Sequence, residues 1–369
     1  MTGPRARIPV AVLGATGSVG QRFVALLADH PWFEIAALTA SDRSAGQPYG
    51  EVVSWVQSTP LPAGAVDLVV QPTEPAAATS CPMVFSALDA KVAGPAEQAF
   101  AAAGCMVVSN ARSHRMDSDV PLVVPEINGD HLSLVAVDRR ARAGGGAIVT
   151  NPNCSTIGLA LALKPLVDAF GVEKLHVVTM QAVSGAGLPG LASLRILDNV
   201  IPHIAGEEEK IEAETRKILG TVVDGRIAEH AVAISAQCNR VPVVDGHVLC
   251  VSVALERRAS IADVRGSLES FSGEPQRLQL PSAPRHPIVY LDDPDAPQPR
   301  LHREIEGGMA VVIGRLRSCP LLDFKFVALS HNTLRGAARG ALLVAEQVVA
   351  RGLLTGFDAV RPPAAKSPS

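Results

Sequence analysis

The run IPVAVLGATGSVGQRFVALL, residues 8–27, sets an apolar strand pattern directly against a helical one with only a glycine-rich turn between them. Gly14, Gly17 and Gly20 permit a tight turn there. They also let backbone N–H groups approach a pyrophosphate, whose charge the following helix N-terminus favours. The spacing is GxxGxxG instead of GxGxxG, so taken alone the motif also fits a tight turn with no ligand.

The alternation continues through FEIAALTAS, DLVVQP, MVFSALD, AGPAEQAFAAAG and MVVSN. Short β-rich runs between helical patterns predict βαβ units and a parallel sheet. After residue 150 the pattern changes to a helix behind Cys154, a strand in KLHVVTMQAV, a polar helix in GEEEKIEAETRKILG, and strands in HAVAISAQCNR and HVLCVSVALER. That succession predicts an antiparallel or mixed sheet with helices on one face.

The expected fold is therefore α/β. A Rossmann-type dinucleotide-binding domain (1–153) precedes an α+β catalytic and dimerisation domain (154–330). The proline-dense stretch at 275–303 reads as an extended surface connection. The helix after Ser330 is apolar along one stripe, which it must bury; residues 331–354 are expected to return to the first domain. The tail VRPPAAKSPS, containing residues 360–369, is expected to be disordered.

A chain of 369 residues is long enough for two such cores. Its net charge of −3, with no basic cluster, points away from nucleic acid and anionic membranes, and toward small molecules and copies of itself. The six cysteines show neither zinc-site spacing nor disulfide density, no HxxxH pair suggests a metal, and no stretch reads as a signal peptide or membrane span. A cytoplasmic protein is expected.

TNPNCSTIGLALALKP places Cys154 behind a turn and at the start of a helix, whose N-terminus favours a thiolate. Pro165 is expected to kink or shorten that helix. A thiol nucleophile needs an acid/base partner. His247, brought to a strand start by Asp245-Gly246, is the best candidate, and Arg240 offers a planar fork for a carboxylate. After the second strand, Ser41, Arg43 and Ser44 beside Asp42 favour a 2′-phosphate over a free ribose hydroxyl, hence NADP.

Taken together, GATGSVGQRF, SNARSHRMDSDVPLVVPEIN, NPNCSTIG, QAVSGAGLPG, NVIPHIAGEEEKIEAETRKILG, AQCNRVPVVDGH and LSHNTLRGAA resemble, in order along nearly the whole chain, the archaeal and fungal branch of the aspartate-β-semialdehyde dehydrogenases. The resemblance implies an NADP-dependent reduction of β-aspartyl phosphate to the semialdehyde, serving lysine, threonine and methionine synthesis. Cys154 would carry a thioester, His247 serve as acid/base, and Gln181 orient the substrate. It further implies Arg240 for the α-carboxylate, Glu207 for the amino group, Asn153 at the acyl site, and Arg115 and Lys210 for phosphate. Which of Glu207, Glu208 and Glu209 faces the substrate is open.

For the cofactor, the resemblance implies Thr16, Gly17, Ser18 and Val19 at the pyrophosphate, Ser41, Arg43 and Ser44 at the 2′-phosphate, and Ser86, Ala87 and Leu88 along the dinucleotide. Ser184, Gly185 and Asn332 would lie near the nicotinamide. The sheet expected in the second domain would expose a face for a homodimer or homotetramer, and the implied reaction has inorganic phosphate as co-substrate. Leu188, Arg195 and His203 depart from the family pattern without removing a catalytic group, which keeps open a paralogue of specialised metabolism working on a modified substrate.

Two other readings compete. An N-acetylglutamyl-phosphate or malonyl-CoA-type reductase keeps the cysteine and histidine but has no ammonium for Glu207. A non-catalytic dinucleotide-binding subunit should have lost Cys154 or His247.

Overall fold

The computed structural model describes residues 7–136 and 145–354. The tail at 360–369 lies outside them. Six strands, β1 (Ile8–Leu13), β2 (Phe33–Ala40), β3 (Gln71–Pro72), β4 (Met83–Ser86), β5 (Met106–Ser109) and β6 (Ala147–Thr150), form one parallel sheet in the order β3-β2-β1-β4-β5-β6. Strands β4, β5 and β6 are buried at every residue, as expected of a parallel sheet covered on both faces. The order reverses between β1 and β4. At such a switch point the loops leave in opposite directions and open a crevice at the strands' carboxyl ends.

Helix α1 (Ser18–Leu27) follows β1, and α2 (Ala90–Ala102) follows β4. Helix α3 runs from Cys154 to Phe170. It passes through Pro165 without ending, so the predicted shortening does not occur; its interior is held by burial on nearly every side.

The second sheet contains β7 (Val172–Gln181), β10 (Ala233–Arg240), β11 (His247–Leu255), β12 (Ile288–Leu291), β13 (Val311–Ser318) and β14 (Phe324–Ser330); β8 (Thr221–Val223) and β9 (Arg226–Ala228) pair separately as a small hairpin. Its order is β10-β7-β11-β14-β13-β12. The β10–β7 and β12–β13 pairs are parallel and the others antiparallel, so the sheet is mixed. Helices α3, α4 (Glu207–Ile218) and α5 (Ile261–Glu269) cover one face with a continuous apolar core. The other face leaves His176 and Cys250 exposed, and Val178, Met180 and Val327 half-buried.

Two expectations are corrected here. The stretch 275–303 is not merely a surface connection, because its IVYL segment adds β12 to the sheet edge and buries Ile288. The C-terminal segment is buried all round, not along one stripe. A π-helical turn (Leu334–Ala338) leads into helix α6 (Arg339–Ala350), whose residues 340–349 are all buried, most of the apolar ones in the first domain's core. Its Glu346 is accommodated there by His30 Nε2 at 2.9 Å and the Ser282 N–H at 2.9 Å.

Candidate active site

Four strands of the second sheet end or begin on the same side. Arg240 closes β10 opposite Gln181, which closes β7, and His247 opens β11 opposite Ser330, the last residue of β14. Cys154 is brought to this edge by the start of α3. Asn153 caps that helix, its Oδ1 accepting the N–H groups of Ser155 (2.9 Å) and Thr156 (3.3 Å). The same side chain donates through Nδ2 to Glu207 Oε1 at 2.7 Å.

Cys154 Sγ stands 3.2 Å from His247 Nε2, and His247 Nδ1 accepts the Ala182 N–H at 3.0 Å. The thiol keeps partial exposure while the imidazole has none. The surroundings of the thiol work against the helix N-terminus. Burial, and after it the Glu207 carboxylate, push the thiol up to about 12, against smaller pulls from Arg115, Arg240 and the Ser155 N–H. Burial, then Arg240 and His331, push His247 down to about 3. A helix N-terminus supplies only about 0.3–1 kcal/mol, rising to about 2 in partly buried sites, and burial of a charge outweighs it.

Around this pair lie charges of both signs. Arg240 is buried and donates through Nη1 to Ala182 O at 2.7 Å, leaving other donors of its fork for a ligand. Glu207 is 6 % exposed and bonded to Lys210 Nζ at 2.9 Å. Glu208 instead accepts the Cys238 N–H on the edge of β10, so Glu207 is the member of the triplet turned to Asn153 and the nucleophile. Arg115 Nη1 donates to Glu214 Oε1 at 3.0 Å and Nη2 to Asn110 O at 2.7 Å, while its buried Nε has no partner. Gln181 is buried, with Nε2 on Thr179 Oγ1 at 3.3 Å.

Several site residues were not singled out from the sequence. Glu214 accepts both from Arg115 and from the Asn153 N–H at 2.6 Å, tying the phosphate candidate to the residue before the nucleophile. Lys217 spends its ammonium on the carbonyls of Arg115, Asp117 and Val120, at 2.6, 2.6 and 2.8 Å, and so holds the loop that carries Arg115. The signal was there, because residues 207, 210, 214 and 217 share one helical stripe.

Gly336 is a further case. A Cβ on it would lie 2.6 Å from the Cys154 Cβ, so the π-helical turn presses against the nucleophile. Gly336→Ala is expected to lower kcat about 100-fold, the scale of a misplacement by about 1 Å, with the circular dichroism spectrum retained. A fully active variant would show that the turn yields without moving the sulfur.

The crevice between β1 and β4 leads to this edge. Gly14, at φ 74°, brings its backbone so close to Ala87 that a Cβ would sit 2.8 Å from the Ala87 carbonyl oxygen. Helix α1 begins at Ser18 with Gly17 as cap, without a side-chain cap bond or an acidic first turn, so its N–H groups suit an anion. Tyr49 Oη and Gln21 Nε2 steady the loop by donating to Ala15 O (2.8 Å) and Thr16 O (2.9 Å). Thr16, Ser18 and Val19 are half-buried at this turn, and Gly20 is buried behind it.

After β2, Ser41 and Arg43 are exposed and Ser44 half-buried on one turn. Ala87 and Leu88 follow the end of β4, but the Ser86 hydroxyl is buried and donates to Glu97 Oε1 at 2.6 Å. Its side chain therefore faces α2. Asn332 binds Ser184 Oγ at 2.7 Å and the Gly246 N–H at 2.8 Å, and Gly185 lies against the His247 ring and Arg240.

A dinucleotide crevice beside a cysteine–histidine pair, with a buried arginine and a buried glutamate next to it, is the arrangement of an aldehyde dehydrogenase that works through a cysteine. Family models agree: residues 9–135 match the semialdehyde dehydrogenase NAD binding domain and residues 163–335 the semialdehyde dehydrogenase dimerisation domain. The chain belongs to the aspartate-semialdehyde dehydrogenase family. It is 49 % identical to the Methanothermobacter thermautotrophicus enzyme of that name over 343 residues, covering 92 % of this chain and 99 % of the relative. It is also 49 % identical to the Schizosaccharomyces pombe enzyme over 353 residues, covering 94 % and 99 %. The crystal structure of the Candida albicans aspartate semialdehyde dehydrogenase with NADP superposes with a TM-score of 0.87 at 46 % identity, covering 94 % of this chain and all of that one.

Proposed function

We propose that this chain catalyses the reversible NADP-dependent reductive dephosphorylation of L-4-aspartyl phosphate to L-aspartate-4-semialdehyde, through a thioester on Cys154. The observation that carries the reading is the placement of Cys154 and His247, 3.2 Å apart, beside both Glu207 and Arg240. A substrate with an ammonium, a carboxylate and a phosphate finds a partner for each. Glu207 takes the ammonium, Arg240 the carboxylate, and Arg115 with Lys210 the phosphate. An N-acylated substrate would offer Glu207 no cation.

Sulfur attack on the acyl carbon expels phosphate, and Asn153 and Gln181 orient the acyl group. NADPH supplies hydride to the resulting thioester. Residues 7–153 with the helix at 331–354 hold the cofactor: Gly14 and Thr16 to Gly20 at the pyrophosphate, Ser41, Arg43 and Ser44 at the 2′-phosphate. Ala87, Leu88, Ser184, Gly185 and Asn332 lie toward the nicotinamide. Residues 154–330 carry the substrate groups. Leu188, Arg195 and His203 all lie exposed and off the catalytic pair, which favours the primary substrate over a modified one.

The uncovered face of the second sheet fits a second copy of this chain, giving a homodimer or a pair of dimers. An acyl phosphate is too charged to cross a membrane, so its reductase works where it is made, which we take to be the cytoplasm. Among the described residues no helix is long and apolar enough to cross a membrane.

The test is reduction of NADP, and separately of NAD, with L-aspartate-4-semialdehyde in the presence and absence of phosphate. Phosphate-dependent turnover preferring NADP is expected. Arg240→Leu should raise KM for the semialdehyde about 10- to 100-fold, the loss of about 1.5–3 kcal/mol in charged hydrogen bonding. Turnover with an N-acylated or coenzyme A substrate instead would overturn the reading.

A further inference from the structure

We propose that Glu214, which grips the Arg115 guanidinium, and Lys217, which grips the Arg115 main chain, are positioning residues that hold the phosphate site at a set distance from the nucleophile. The proposal rests on the reading above that Arg115 receives phosphate.

An ammonium has three N–H groups to donate. Those of Lys217 go to the carbonyls of Arg115, Asp117 and Val120, so none remains for a substrate, and the residue is buried. Three carbonyls of residues 115–120 thus converge on one nitrogen, which curls the loop around the ammonium with Arg115 at its start. Without that charge the three acceptors would lose their donor, and the loop would open to find water. Asp117 and Asp119 on the loop, Glu214 on α4 and Glu229 just after β9 are the carboxylates around it.

The guanidinium is held separately. Buried Glu214 accepts an Arg115 Nη1–H through Oε1 at 3.0 Å and the Asn153 N–H through Oε2 at 2.6 Å. One carboxylate therefore spans from the phosphate arginine to the residue before Cys154, whose side chain caps α3. Asn110 O takes an Nη2–H, and Nε is buried without a partner, a donor that an oxyanion would satisfy. The stripe on α4 is thus divided in function. Glu207 and Lys210 are read as ligand contacts, while Glu214 and Lys217, further along the same helix, fix the side chain that a leaving phosphate must meet.

The experiment measures how inorganic phosphate slows alkylation of Cys154 by iodoacetamide in the full chain, read by mass spectrometry of the peptide that carries it; no turnover is needed. Phosphate should protect the wild type, and Arg115→Leu should raise the protecting concentration about 10- to 100-fold, the range of charged hydrogen bonding. Lys217→Met and Glu214→Gln should each raise it about 10-fold, and Lys217→Met should add nothing in the Arg115→Leu background, because it acts through that side chain. Glu214→Gln also separates position from charge. A carboxylate that only repelled phosphate would, once neutralised, tighten binding. In turnover the KM for phosphate should follow the protecting concentration while the KM for NADP stays within about twofold. Unchanged or tighter protection in Glu214→Gln, or in a folded Lys217→Met, overturns the proposal, as does a further loss when Lys217→Met is added to Arg115→Leu. The near-isosteric Glu214→Gln decides the matter should Lys217→Met not fold. No protection of the wild type, or an unchanged value in Arg115→Leu, fails the reading of Arg115 as the phosphate arginine and takes the proposal with it.

Discussion

Cys154→Ala is expected to abolish phosphate-dependent reduction of NADP, by roughly 10⁴-fold or more, while leaving NADP binding and the folded state as they are. The size of the effect follows from the role. Without sulfur no thioester forms, and hydride has no acyl carbon held in place to receive it. Binding should survive because the glycine turn and the exposed Ser41–Arg43 turn are built on β1, β2 and α1, none of which rests on the thiol. The checks are steady-state turnover, cofactor titration by fluorescence and circular dichroism on the same preparation. Residual turnover within tenfold of the wild type would mean that the acyl group is never carried on this sulfur.

Arg335→Leu is expected to give the largest loss of stability among these variants, about 3–5 kcal/mol. Arg335 donates through Nη1 and Nη2 to the two carboxylate oxygens of Glu126 at 2.7 and 2.6 Å, and the side chains are 1 % and 0 % exposed. Removing the cation leaves a carboxylate buried with no counter-charge. The double variant Arg335→Leu with Glu126→Met removes both charges and should recover most of the loss, because two apolar side chains of similar volume can pack where an ion pair stood. Urea denaturation of the single and double variants measures this. A single variant that unfolds at the wild-type denaturant midpoint would show that water reaches Glu126.

The sequence made the architecture legible where one local pattern had one physical reading. The glycine turn between an apolar strand and α1 could hardly be built otherwise, and Asn-Pro-Asn before Ser-Thr marked the turn into α3, although Asn153 and not Ser-Thr proves to be its cap. Asp245-Gly246 put His247 at a strand start as expected. What escaped was decided by three-dimensional surroundings. The helix N-terminus favoured a thiolate, but burial and Glu207, far away in the chain, push the Cys154 thiol up. The Ala182 amide belongs to the main chain, which no side-chain pattern announces. Helix α6 looked amphipathic, yet Glu346 and Gln347 are buried because His30, Ser282 and Pro125, far away in the chain, supply their partners. In the same way IVYL, framed by prolines, was hidden as a strand until β13 stood beside it.

The chain passes between its two sheets at two places, once at Asn153–Cys154 and once after Ser330, and Gly336 presses the second passage onto the first. These passages are the natural pivot for any rocking of one domain on the other. Atoms near a pivot travel least, while those far out on the lever arms travel most. In such a rocking the reactive sulfur would travel little and the outlying turn of Ser41 and Arg43 much, with the distance from sulfur to imidazole kept.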